Sequence, residues 1–215
     1  MKKWMVAHRG ITLDAKENSS KALKDANKYH LGYVEFDVRV TDDYIAILSH
    51  NPKIKNMAID KSSYKELKKL DSHLFTLKEA YKIIKNHRAI IDLKSDCSYS
   101  HVSDYLISHP KSYATSFILP EILSLKVRGV KQSQTFIAQH AHPFGLTKKA
   151  LKNRIGGISI NKFFVNPWIY KQTQKYGLNI MIYTVNSPWL AKKYRKLYPN
   201  ALICTDRPDK LQNLS

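Results

Sequence analysis

Strand-like and helix-like segments alternate along almost the whole of this 215-residue chain, and that rhythm narrows the folds open to it. Apolar runs of strand length occur at residues 4–8, 33–40, 89–94, 113–117, 135–139, 157–161, 179–185 and 201–205. Between them lie segments with helical spacing, such as 17–28, where Ala22, Leu23 and Ala26 share a face and Asn18 or Ser19 is the expected cap. Thr76 and Glu79 have capping-box spacing at the head of another helix, whose buried side is expected to be Leu77, Ala80, Tyr81 and Ile84. Further helices are expected at 102–108, 120–127, 147–153, 166–176 and 188–197, with a last one starting at Pro208. A shorter strand at 45–48 is expected to follow 33–40 in the barrel and ends in Ser49-His50, and the polar stretch 51–72 after it reads as an insertion, a loop with one helical turn. Repeated β-then-α units with short connections imply parallel strands joined by right-handed crossovers. About eight such units match a single-domain α/β fold, a closed (β/α)8 TIM-type barrel over residues 1–215. An open doubly wound sheet is the alternative, but it usually carries a glycine-rich phosphate turn, and none is present.

Chemistry-bearing residues gather at the ends of these runs. In the run 33–40, Val34, Phe36 and Val38 point to one face, so Glu35 and Asp37 share the other. Two like charges held that close repel, and burying either alone costs several kcal/mol or forces it to take up a proton. A hard divalent cation bridging both is the economical remedy; a half-exposed strand with solvated acids is the plain alternative. The neighbouring runs favour the cation. The first ends in His8-Arg9-Gly10, the shorter run in Ser49-His50, and 89–94 places Asp92 and Lys94 two apart on one face. In a barrel of this kind the catalytic groups sit at the carboxyl ends of the strands, where all of these are expected to fall.

The formal net charge is +19, a field that attracts phosphorylated small molecules, anionic lipid surfaces or nucleic acid. The lysines are dispersed, as at Lys65, Lys68, Lys69 and Lys78, which fits solvated helix faces. No groove-reading motif accompanies them, so no specific nucleic-acid partner is expected, and the charge allows at most a weak association with anionic membranes. Oligomeric state leaves no readable trace. Cys97 and Cys204 form neither a metal-type spacing nor a disulfide framework, which fits a reducing compartment. The opening Met-Lys-Lys-Trp-Met-Val-Ala breaks at His8-Arg9, too early for a signal-peptide core, and no later run is long enough to span a bilayer. A soluble, cytoplasmic protein is the expectation.

His8-Arg9-Gly10, Glu17-Asn18-Ser19, Glu35-Phe36-Asp37-Val38, Ser49-His50, Thr76-Leu77-Lys78-Glu79, Asp92-Leu93-Lys94, Tyr183-Thr184-Val185-Asn186 and Thr205-Asp206-Arg207-Pro208 follow one another in that order. As an ordered set they resemble the glycerophosphodiester phosphodiesterase family over nearly the whole chain. The resemblance implies a TIM-type barrel that hydrolyses glycerophosphodiesters to glycerol 3-phosphate and an alcohol with a divalent cation, calcium or magnesium. It implies Glu35 and Asp37 as metal ligands, with Asp92 as the third, standing where the family usually has glutamate. His8 and His50 match the pair of general acid/base histidines, and Asn51 replaces the aspartate that commonly follows the second. Arg9 and Lys94 match the cations that hold the phosphate. Tyr183, at a position often filled by tryptophan, is expected to line the pocket beside the glycerol.

The same chemistry follows from the residue types. Attack on an anionic phosphodiester requires neutralisation of the charge gathering on its oxygens, which a bound cation, a guanidinium and an ammonium supply. It also requires one group to take a proton from the nucleophile and another to give one to the leaving alkoxide, and histidine does either near neutral pH. Water or the neighbouring glycerol hydroxyl is the nucleophile, and either histidine is acid or base. Glu17 reads as an orienting or capping acid that pairs with Arg9. His140 and His142 resemble a metal pair but have no matching acid nearby, and His30, His73, His87, His101 and His109 carry no functional expectation. Tyr99, Tyr105, Phe163, Phe164 and Trp168 are candidates for the pocket mouth, with helix packing as the plainer reading. The alternatives are a lysophospholipase D-type phosphodiesterase, against which the polar segment after Asn51 argues, and a non-catalytic basic barrel that binds anions.

Overall fold

The computed structural model describes residues 2–29, 31–84, 88–94, 100–140 and 143–214. His30, Lys85, His87, Cys97, Tyr99 and His142 lie outside the described residues, as does the side chain of His101. In chain order the elements are β1 (Lys2–Ala7), α1 (Ser20–Ala26), β2 (Leu31–Val40), β3 (Ala46–Leu48), β4 (Lys53–Ile54), β5 (Met57–Ala58), α2 (Tyr64–Leu70), α3 (Leu77–Ile83), β6 (Arg88–Leu93), α4 (Ser100–Ser108), β7 (Tyr113–Ser116) and α5 (Leu119–Val127). Then come β8 (Thr135–Gln139), α6 (Leu146–Lys152), β9 (Gly157–Asn161), α7 (Pro167–Lys175), β10 (Asn179–Tyr183), α8 (Pro188–Leu197), β11 (Leu202–Thr205) and α9 (Pro208–Leu211).

Eight strands pair in parallel in the order β1, β2, β6, β7, β8, β9, β10, β11, and β11 closes back on β1. This is the expected (β/α)8 barrel. The strand period decides which side chains enter it. Val34, Phe36 and Val38 of β2 and Ala89, Ile91 and Leu93 of β6 point outward into the shell between barrel and helices. Tyr33, Ile90, Val6, Phe136, Met181 and Cys204 point inward and fill the barrel's interior. Gly157 is required there: a Cβ on it would lie 2.6 Å from the Phe136 ring.

The run at 45–48 is not a barrel strand, contrary to its placement from sequence. β3 pairs antiparallel to the far end of β2, with Val38 opposite Leu48. Its period and composition are those of any strand; only its direction differs, and direction is set by the tight turn at Thr41–Ile45, where Thr41 N–H donates to Ile45 O at 3.0 Å. The segment 51–72 also holds more structure than one helical turn: a two-stranded hairpin (β4–β5), a short 3-10 turn and α2. A satellite core of Ile47, Ile59, Leu67 and Leu74, flanked by Ile54, Met57 and Tyr64, holds it against β3. Capping boxes at Ser63/Glu66 and Thr76/Glu79 start α2 and α3. Among the described residues no helix is long and apolar enough to cross a membrane.

Candidate active site

β1 ends at Ala7, and the chain turns at His8-Arg9-Gly10. Arg9 has φ 56° and Gly10 φ 83°, and a Cβ on Gly10 would lie 2.8 Å from the Ala22 backbone, so the turn is packed tightly against α1. His8 N–H donates to Thr205 O at 3.0 Å, tying the ring to the seam between β1 and β11. Its Nδ1 lies 2.6 Å from Asp206 Oδ1. Asn186 fixes that carboxylate by donating from Nδ2 to Asp206 Oδ2 at 2.8 Å and accepting from Asp206 N–H at 2.9 Å.

β2 and β6 supply the acids. Asp37 and Asp92 are register partners on these adjacent strands, and Glu35 lies one pleat below on the same face. Oxygen atoms of Glu35, Asp37 and Asp92 all lie within 4.8 Å of one another, and all three residues are buried. Three cationic or polar neighbours hold the cluster together. Lys94 Nζ sits 2.6 Å from Asp92 Oδ2 and 3.0 Å from Asp37 Oδ1. Arg9 Nε lies 3.1 Å from Asp37 Oδ2, its Nη1 lies 2.6 Å from Glu17 Oε2, and its backbone N–H donates to Glu35 Oε2 at 2.9 Å. Asn18 clamps Asp37, donating from Nδ2 to Oδ2 at 2.8 Å and accepting the Asp37 N–H at 3.0 Å. Asn18 is therefore an acid-holding residue, and the cap of α1 is Ser19.

Because β3 runs antiparallel, its end returns to the level of the acids: Ser49 N–H donates to Asp37 O at 3.2 Å, and His50 follows. Arg39 secures the His50 carbonyl through Nε at 3.1 Å and Nη2 at 2.9 Å. Among the described residues the His50 ring has no acid within hydrogen-bond reach, and Asn51 Oδ1 lies 3.4 Å from its Nδ1. His8, Arg9, Glu35, His50, Asp92, Lys94 and Tyr183 line one cavity of about 570 Å³ at the barrel mouth, with an Asp37 oxygen within 4.8 Å of those of Glu35 and Asp92. Tyr183 donates its hydroxyl to Gln139 O at 2.8 Å.

The electrostatics follow from burial and from these partners. Burial, reinforced by the Asp37 charge, pushes Glu35 up to about 8. Burial also lifts Asp92 to about 6, with Lys94 opposing. Asp37 is held below its ordinary range because Lys94 and Arg9 outweigh its burial. For His8, burial works against the proton, but the Asp206 hydrogen bond and the Glu35 charge prevail and its pKa rises. His50 is lowered by burial and by Arg9 and Lys94. Among the described residues Asp92 Oδ1 is buried without a hydrogen-bond partner. Three converging carboxylates, two of them pushed toward the neutral form and one with an unsatisfied oxygen, make a donor set that fits a hard divalent cation.

Residues 8–132 match the glycerophosphoryl diester phosphodiesterase family. The chain belongs to that family. Its members are phosphoric diester hydrolases, and this chain is one of those enzymes. It is similar to a glycerophosphodiester phosphodiesterase of Caldanaerobacter subterraneus subsp. tengcongensis, 25% identical over 243 residues that cover 100% of this chain and 98% of the relative. The fold is that of the Thermotoga maritima glycerophosphodiester phosphodiesterase crystal structure (TM-score 0.84, 22% identity, 99% of this chain and 98% of the other covered). It is also that of an Oleispira antarctica phosphodiesterase in complex with the product sn-glycerol-3-phosphate (TM-score 0.82, 21% identity, 97% and 94% covered).

Against the rest of the glycerophosphodiester phosphodiesterase barrel, some expectations shift. Tyr105 is not at the mouth; it packs in α4, its ring stacked between Tyr81 and His109 at centroid distances of 3.4 and 4.0 Å. Phe163 lines the cavity, and Phe164 and Trp168 lie beyond it. Polar residues of the site that lack a candidate role from sequence include Asp206, Asn186 and His140. The first two stand in the family-like runs but their partners are distant in sequence. His140 lines the cavity, stacked on Phe117 at 3.9 Å. Its signal was its place directly after β8, the same strand-end rule that located His8.

Proposed function

We propose that this chain hydrolyses glycerophosphodiesters to glycerol 3-phosphate and an alcohol, with Glu35, Asp37 and Asp92 holding a divalent cation. The observation that carries the reading is the convergence of these three buried carboxylates beside a cavity that His8 and His50 share. A barrel that merely bound anions would have no use for buried acids at its positive mouth, so the non-catalytic alternative loses its ground. When bound, the cation neutralises charge on the phosphoryl oxygens and lets Glu35 and Asp92 ionise together.

The protein's own groups divide the remaining work. Arg9 and Lys94 are the cavity's cations beside the acids, and they neutralise and orient the phosphate. His8, bonded through Nδ1 to Asp206, keeps its proton and presents Nε2 as the general acid that protonates the leaving alkoxide. His50 has Asn51 where an acid would favour the charged ring, so it stays neutral and takes the proton from the nucleophile. The opposed shifts of the two rings are the usual sign of such a division of roles. Tyr183, fixed by Gln139, forms the wall for the glycerol.

Release of glycerol 3-phosphate from glycerophosphocholine and glycerophosphoethanolamine, with divalent cation and after chelation, tests the proposal. Cation-dependent release supports it; no release from any headgroup with any divalent ion contradicts it. Lysophosphatidylcholine as a parallel substrate separates the lysophospholipase D-type reaction.

A further inference from the structure

The dispersal of lysines hides an asymmetry in the acids. Between Glu121 and Asp206 the chain contains no aspartate or glutamate, but fourteen lysines and arginines. That segment forms β8 to β11 and most of the helices between α5 and α9, so one side of the barrel is positive without internal compensation.

The exposed phenylalanines and tryptophans follow the same division, whereas the exposed tyrosines Tyr44 and Tyr176 lie elsewhere, in the turn after β2 and at the end of α7. Of the chain's seven phenylalanines and three tryptophans, the exposed ones are Phe144, Phe163, Phe164, Trp168 and Trp189. All five lie in the loops or first helical turns after β8, β9 and β10. These strands are neighbours and run in one direction, so the segments sit side by side at the barrel mouth. Phe144, Phe163 and Trp189 are 79%, 78% and 70% exposed, far beyond what packing leaves open. Lysines accompany them: Lys162 Nζ lies 5.1 Å from the Phe163 ring centre and Lys193 Nζ 5.3 Å from that of Trp189. Lys148 and Lys192 are exposed near the same helix starts. Single exposed aromatics mean little, but a set of phenylalanines and tryptophans on one face, ringed by cations from an acid-free stretch of the sequence, marks an interaction surface.

We infer that this rim docks the barrel, mouth first, on an anionic lipid bilayer, with lysines against headgroup phosphates and aromatic rings at the boundary between headgroups and acyl chains. Amphipathic rings and cations on one protruding edge suit that boundary. Of the five rings only Phe163 lines the cavity; the others stand in separate loops and first helical turns, which suits a bilayer better than a bound nucleic-acid strand. Docking requires no turnover, so it stands or falls separately from the hydrolytic reading.

Co-sedimentation with vesicles of phosphatidylcholine alone, and mixed with phosphatidylglycerol, tests it on the full chain at physiological ionic strength. The variants are F144S/W189S and K148E/K192E/K193E, none of which lines the catalytic cavity. Wild type is expected to bind mixed vesicles at least about tenfold more tightly than neutral ones, with a blue shift in tryptophan emission. Each variant is expected to lose about tenfold in vesicle affinity while keeping its circular dichroism spectrum and its rate on a water-soluble glycerophosphodiester. No binding to mixed vesicles, equal binding by wild type and F144S/W189S, or displacement from vesicles by a single-stranded oligonucleotide at lower concentration would each overturn it.

Discussion

His8 Nδ1 and Asp206 Oδ1 lie 2.6 Å apart although 198 positions separate them in the chain. Barrel closure makes the pair, since β1 and β11 are neighbours with Ala7 opposite Thr205. The bond fixes the tautomer of His8 and stabilises its charged form, leaving Nε2 for the reaction.

Asp206→Asn should therefore lower the pKa of His8 and damage catalysis without touching the acids. If His8 is the general acid, the alkaline limb of the rate profile reports its deprotonation, so that limb should move to lower pH. Turnover should fall by about tenfold to a hundredfold. A pH profile measured on both proteins decides it; a simple loss of folded protein would leave the limb where it was.

Asn51→Asp makes the converse change at the second ring. A carboxylate beside His50 Nδ1 raises that ring's pKa, and a base must be neutral to act. The acidic limb of the kcat/KM profile should move to higher pH. An unmoved acidic limb would remove His50 from the role of base.

Lys94 bridges Asp37 and Asp92 while only 14% exposed. Lys94→Met leaves two buried carboxylates without their shared cation, which costs about 3 kcal/mol in chelator. Urea titration should show that loss, and a divalent cation should recover part of it, while turnover should stay at least about a hundredfold down because the phosphate has lost its ammonium.

The metal-free enzyme should also lose stability as pH rises. Glu35 is protonated in the folded chain and ionised in the unfolded chain between 4.5 and about 8, and Asp92 behaves likewise between 3.8 and about 6. The folded state therefore binds more protons across that window, so stability falls with increasing pH. Tm in chelator should decrease from about pH 5 to about pH 8, and a divalent cation should flatten that slope. An identical slope with and without cation would contradict the assignment of the acids.

Most of the barrel was legible in local patterns. The period-2 alternation around Glu35 and Asp37 separated inward from outward side chains, and the strand-end rule located His8, Asp92 and Lys94. β3 was misplaced because its composition carries no record of direction; the turn at Thr41–Ile45 sets it. His50 reaches the acids for that reason, and not as the end of a barrel strand. Asp206 and Asn18 acquired their roles only through closure of the barrel and the left-handed backbone of Asn18 (φ 54°), neither of which leaves a periodic trace. The ordered hairpin in 51–72 has no periodic trace in the sequence, because a few residues such as Ile54, Met57 and Ile59 anchor an otherwise polar stretch.

Calorimetric titration of Mg2+ and Ca2+ into the metal-free protein, paired with glycerol 3-phosphate release from glycerophosphocholine at each point, addresses the cation cluster most directly. Wild type should take up one ion per chain, with activity rising in step, while Glu35→Ala and Asp92→Ala should lose both responses. Full hydrolysis in excess chelator, or ion binding undiminished without Glu35, would contradict the account.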